Sequence, residues 1–132
     1  MLWTLGLLAA LQGAPPVFAP PPAPAGVSDA EFCRTMRAVV DAAMAELPKM
    51  VDRVTRTDGM SIMCGLRTVT TNKFFLVPLS QFREGWQARK QEQWNRMSCD
   101  NASFGPMARK GWRFTLNLTF ASGERFILDA KC

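Results

Sequence analysis

Histidine and tyrosine are both absent from this chain. The missing histidine removes the commonest general base and the commonest zinc ligand. There is no glycine-rich phosphate loop, no Ser-centred nucleophile motif and no closely spaced Cys-x-x-Cys pair. A zinc site or a thioredoxin-type redox centre is disfavoured on those grounds. The first 25 residues also lack every Asp, Glu, Lys and Arg, so all sixteen basic and eleven acidic residues fall in the remainder. That remainder carries the whole net charge of +5. An excess of this size gives a weak attraction to anionic partners and identifies none of them.

The opening "MLWTLGLLAALQGAPPVFAPPPAPAG" combines an apolar run, Leu2 to Leu11, with a proline-rich stretch. A bilayer-spanning helix needs ~20 apolar residues, so the run is too short to span and reads as an export signal. No Lys or Arg precedes it, which is irregular for a signal peptide. Cleavage is expected after "APA", Ala23 to Ala25, and no lipobox-like cysteine follows. Residues 1–25 are therefore taken as a signal peptide or proline-rich leader. Residues 26–132 are taken as a single disulfide-stapled α+β domain, with no stable membrane span after processing.

Cys33, Cys64, Cys99 and Cys132 all follow the leader. Spacings of roughly thirty residues in a chain without histidine point to disulfides in an oxidising compartment, periplasmic or extracellular. Each such loop would stabilise the fold by roughly 3–4 kcal/mol in the chain-entropy model. Four cysteines leave the connectivity open, but the phase of the flanking elements favours Cys33–Cys64 and Cys99–Cys132.

The helical and strand periods give an element order. Ser28-Asp29-Ala30-Glu31 is a capping box ahead of Phe32, Met36, Val39, Val40, Ala43 and Leu47 at helical spacing, and Pro48 ends that helix. Asp58-Gly59 reads as a hairpin turn between two strands, the first an edge. Leu79 to Ser98 reads as a second helix with Leu79, Phe82, Trp86, Trp94 and Met97 on the buried face and Gln91 and Asn95 opposite. "DNASFGP" reads as a loop. "WRFTLNLTF" alternates strictly and returns through "ASGE" into "RFILDAKC". The expected fold is α+β: a four-stranded antiparallel sheet with two helices on one face, ordered helix-strand-strand-helix-strand-strand, with two disulfides.

Leu47-Pro48, Thr55, Cys99, Gly111, Gly123 and Cys132 give the chain a pattern. A helix ends in Leu-Pro, a Thr-bearing strand follows, a helix ends in Cys, and a Gly turn precedes a terminal Cys. This resembles a loose group of small exported bacterial periplasmic proteins, with a build loosely similar to secretion-system pilotins. The resemblance implies a compartment and a fold, not a reaction.

No catalytic, cofactor-binding or metal-ligating residue is assigned from the sequence. The expected role is a non-catalytic binding or accessory module of the cell envelope, with an envelope or secreted protein as partner. Nucleic acid is disfavoured, because the tryptophans fall in phase with core residues rather than with a stacking platform. The alternative is a secreted basic effector or hydrolase acting on an anionic polymer. The candidate partner surface has two parts. One is the first hairpin, where Met60 and Met63 lie near an edge able to accept another strand. The other is a basic rim of Arg83, Arg89, Arg96, Arg109, Lys110 and Arg113. Lys90 is the singular residue, placed on the apolar face of the second helix between Trp86 and Trp94. Its stem is expected to cover the indoles while its ammonium reaches water; the functional counterpart is a Trp–Lys–Trp groove for an anionic ligand.

Overall fold

The computed structural model describes residues 26–132, so the proposed leader lies outside the described residues. The first helix, α1 (Asp29–Met44), begins where the capping box predicts it. The Ser28 hydroxyl accepts the Glu31 N–H at 3.2 Å, and Phe32, Met36 and Val40 form the buried stripe. Three strands follow: β1 (Lys49–Met50), β2 (Thr55–Met63) and β3 (Thr68–Phe75). Two helices, α2 (Trp86–Cys99) and α3 (Phe104–Arg109), precede β4 (Arg113–Phe120) and β5 (Arg125–Asp129).

The sheet has five strands in the order β1-β2-β3-β4-β5 and is mixed, with β3 and β4 parallel and every other pair antiparallel. This corrects the expected four-stranded antiparallel sheet with two helices. The main cause is Asp58-Gly59. Instead of turning the chain, the pair sits inside β2 as a bulge, and the register with β3 shifts between Thr57 and Gly59. Asp58 turns its carboxylate onto the Arg56 guanidinium, while Gly59 is buried. The real turn comes later, at a short 3₁₀ segment, Cys64–Leu66, closed by Arg67 in the left-handed region at φ 50°. With β2 and β3 complete before α2, the chain reaches β4 by a helical crossover, and a parallel pair results.

The second helix is shorter than its pattern predicted. Gly85 takes φ 79° and starts α2 at Trp86, while Leu79–Gln81 forms a separate 3₁₀ turn. The segment read as a loop contains α3. The Asn101 side-chain oxygen accepts the N–H groups of Ser103 and Phe104 at 2.8 and 3.0 Å and so directs the turn into that helix. Pro106 is tolerated because it falls in the first turn. Gly105 is forced by space, since a Cβ there would lie 2.3 Å from the Cys99 carbonyl oxygen.

Val69 and Phe75 of β3 stand in register with Phe114 and Phe120 of β4, and all three helices pack on the face they share. At one end of β4, Phe32, Phe104, Trp112 and Phe114 cluster, with Phe104 stacked on Phe114 at 4.8 Å. At the other, Phe75, Phe82, Trp86, Phe120 and Phe126 meet at centroid distances of 4.8 to 5.8 Å. Edge-on pairs of this kind add about 0.5–1.5 kcal/mol each beyond burial. The opposite face carries Thr70, Asn72, Asn117 and Ile127, the last 69% exposed. Disulfides join Cys33 to Cys64 and Cys99 to Cys132, the connectivity favoured by the phase of the elements.

Candidate functional site

The orientation of α2 decides what the molecule presents. Gln91, Asn95 and Cys99 recur every four residues and form one stripe of the helix. That stripe is fastened to the sheet. The Gln91 amide donates to the Asp129 carbonyl at 2.7 Å, the Asn95 side-chain oxygen accepts the Lys131 N–H at 2.8 Å, and Cys99 is bonded to Cys132. Trp94 adds a buried bond from its indole N–H to the Phe114 carbonyl at 2.9 Å. The helix is therefore rotated from the expected wheel. Gln91 and Asn95, placed on the solvent side by hydrophobicity, face the sheet, and Met97, placed in the core, is 53% exposed. A polar stripe wins because it satisfies the open end of β5, which apolar side chains could not do.

This rotation brings Arg89, Gln93 and Arg96 to the opposite flank of α2. Together with Phe82, Arg83, Trp86 and Lys90 they line a cleft of about 410 Å³. Its lining holds four cations, two aromatic rings and no carboxylate. The Arg89 guanidinium donates to the carbonyl of Glu84 at 3.1 Å, closing over Gly85. A side chain at Gly85 would meet it, and φ 79° already disfavours any residue but glycine there. Among the described residues the ion pairs are Arg56–Asp58, Arg67–Asp29 and Arg113–Asp129, so the cleft cations are free of carboxylate partners.

Lys90 does not lie between the indoles. Its ammonium sits over the Phe75 ring, 5.5 Å from the centroid, and donates to the Gln93 side-chain oxygen at 3.3 Å. Beneath it is Lys73, which the sequence reading passed over. Lys73 follows Val69 and Thr71 at strand period, so it belongs to the helix-covered face of β3, beside Leu118. Burial depresses its pKa below the ordinary lysine value, the neighbouring charge of Lys90 depresses it further, and Asp52 opposes both. Asp52 is itself held below the usual carboxylate range, chiefly by accepting the Val54 N–H at 2.9 Å.

The remaining candidates are dispersed. Lys110 donates to the Val27 carbonyl at 2.8 Å, Arg113 pairs with Asp129 at 2.8 Å, and Arg109 ends α3, outside the cleft. The expected basic rim is thus two separate groups. Met60 is half-buried and Met63 is 53% exposed. Both lie beyond the part of β2 that β1 covers, which is Arg56 and Thr57. A second concavity of about 360 Å³ separates α1 from the start of α3, with Phe32, Met36, Val39 and Phe104 in its lining. Among the described residues no cluster of three or more Cys, Asp or Glu is placed to hold a metal ion. Among them too, no helix is long and apolar enough to cross a membrane.

No protein-family model matches the chain, and no curated protein matches its sequence. A solved structure does share its fold: a Pseudomonas aeruginosa protein described as a candidate secreted protein. The two agree with a TM-score of 0.62 at 12% identity, over 81% of this chain and 96% of the other. At that identity the likeness establishes the α+β fold.

Proposed function

We propose that this protein is an exported, non-catalytic binding module of the cell envelope, and that the cleft beside α2 receives a negatively charged envelope or secreted component. The observation that carries this reading is the composition of the cleft, with four cations beside Trp86 and Phe82 and no carboxylate to neutralise them. Unpaired charges in a concave, partly apolar wall attract and orient an opposite charge more strongly than the same charges on an open surface. Export is supported by two disulfides in a small domain, which persist where the surroundings are oxidising. The secreted assignment of the Pseudomonas protein of like fold points the same way. A hydrolase of anionic polymers fits less well, because none of the concavities described has an Asp or Glu in its lining.

The test is site-directed photo-crosslinking in an envelope fraction. A crosslinker at Gln93, in the lining of the cleft on α2, should capture a defined component, with the yield falling steeply as salt rises. The same group at Ile127 on the open sheet face should not. Equal capture from both positions, or capture indifferent to salt, would remove the cleft from consideration.

A further inference from the structure

We propose that the component held in the cleft presents a phosphate-type dianion, one oxygen of which enters between the ammonium groups of Lys73 and Lys90. The proposal rests on the reading of the cleft given above and names the chemical class of its ligand.

Lys73 occupies a position where the fold calls for an apolar side chain. Its neighbours on the same face of β3 are Thr71 and Phe75, and Leu118 stands beside it on β4. The side chain is half-buried, yet its ammonium has no ion pair or hydrogen bond among the described residues. A second ammonium, that of Lys90, lies close enough to repel it. The acidic group that faces the pair is Asp52, whose carboxylate already accepts the N–H groups of Val54 and Thr55 at 2.9 and 2.8 Å on an exposed turn. Two like charges thus share the notch lined by Trp94, Leu116 and Leu118, and the single carboxylate of Asp52 offsets them only in part.

The space around them sets the size of the missing charge. A notch of about 10 Å³ lies between Lys73, Lys90, Gln93 and Trp94. This is about the room one water-sized atom needs. Lys90 and Gln93 also line the 410 Å³ cleft, so the notch and the cleft adjoin at these two side chains. A single oxygen fits the notch, and the rest of the group stays outside it. The outer oxygens then meet Arg83, Arg89 and Arg96, whose forked guanidinium groups bind tetrahedral oxyanions through paired N–H bonds. A dianion offsets both ammonium charges, whereas a carboxylate offsets one. Phe82 and Trp86 supply an apolar wall for whatever the phosphate is attached to.

Titration calorimetry of the mature protein with inorganic phosphate, pyrophosphate and acetate tests the class. Phosphate and pyrophosphate should bind more tightly than acetate. Lys73→Met and Lys90→Met should each weaken phosphate binding by about tenfold or more, since each removes a charge-assisted bond. Arg109→Met, outside the cleft, should not. Should Lys73→Met fail to fold, the wild-type chain suffices: phosphate should move the Lys73 side-chain NMR titration to higher pH. Vesicles of phosphatidylcholine with and without phosphatidic acid separate a lipid headgroup, which would retain the protein, from a soluble phosphate ester, which would not. Acetate binding as tightly as phosphate, or a Lys73 titration that ignores phosphate, overturns the proposal. If that occurs while crosslinking from Gln93 persists, the cleft keeps its role and loses only this ligand; if crosslinking fails as well, both fall.

Discussion

The molecule carries two basic regions that its composition does not distinguish. On the open face of the sheet, Arg113 donates to Asp129 at 2.8 Å, and Asp129 also accepts the Thr115 hydroxyl at 2.6 Å. On the flank of α2, Arg83, Arg89, Lys90 and Arg96 line one cleft without a carboxylate. In the first region a cation completes a local network and contributes to stability. In the second, cations are brought together at a cost in mutual repulsion, and the return is a potential that a ligand can use. Charge alone therefore says little about role; the partner of each charge says much more.

The largest expected effect comes from reversing the second region. Arg83→Glu, Arg89→Glu and Arg96→Glu together should lower affinity for the anionic ligand by more than about 100-fold, because attraction is replaced by repulsion. Thermal unfolding should shift by only about 2 °C, as expected for exposed substitutions. A collapse in stability would erase the distinction between the two regions. Asp129→Asn sharpens it from the other side. It should cost about 1 kcal/mol in urea unfolding and leave ligand affinity unchanged.

The pH dependence has the same origin. Burial alone would raise the Asp129 pKa, but the bonds from Thr115 and Arg113, with the charge of Arg113, outweigh it and leave the group below its ordinary value. A carboxylate depressed on folding contributes stability above its unfolded pKa and loses it as pH falls through the folded one. Wild-type stability should therefore decline below about pH 4, and Asp129→Asn should flatten that decline. Asp52, held low chiefly by the Val54 N–H, acts in the same direction. The smallest effect is expected at Lys90. Lys90→Met should leave stability within about 0.5 kcal/mol or raise it, since it relieves the repulsion on Lys73 while a flexible apolar stem still covers Phe75.

Much of the architecture was legible where one period dominated. The Ser28 cap, the stripe of α1, the alternation from Trp112 to Phe120 and the pairing of the four cysteines all follow from local pattern and element phase. The sheet order was not, because Asp58-Gly59 serves a bulge as readily as a turn. The choice is made by the long β3 partner, which no local window contains. The rotation of α2 was hidden for a related reason. Hydrophobicity put Met97 inside and Gln91 outside, whereas hydrogen bonds to Asp129 and Lys131 and the Cys99 bridge reverse that placement. Half of the candidate site could be read as a basic helix flank. Lys73 was visible only as the third beat of Val69, Thr71, Lys73, Phe75, in a segment whose neighbouring Phe74 obscures the alternation.

The parallel pairing of β3 with β4 has a consequence for the order of assembly. The β2–β3 hairpin and the β4–β5 hairpin are each local and can form early. Strands β3 and β4 join only after the whole stretch carrying α2 and α3 has looped back, which is the longest closure within the sheet. Lys73 enters on one side of that seam and the wall of Leu116 and Leu118 on the other, so the notch exists only once the seam is shut. A folding chain would thus complete this notch late, after its two hairpins have formed.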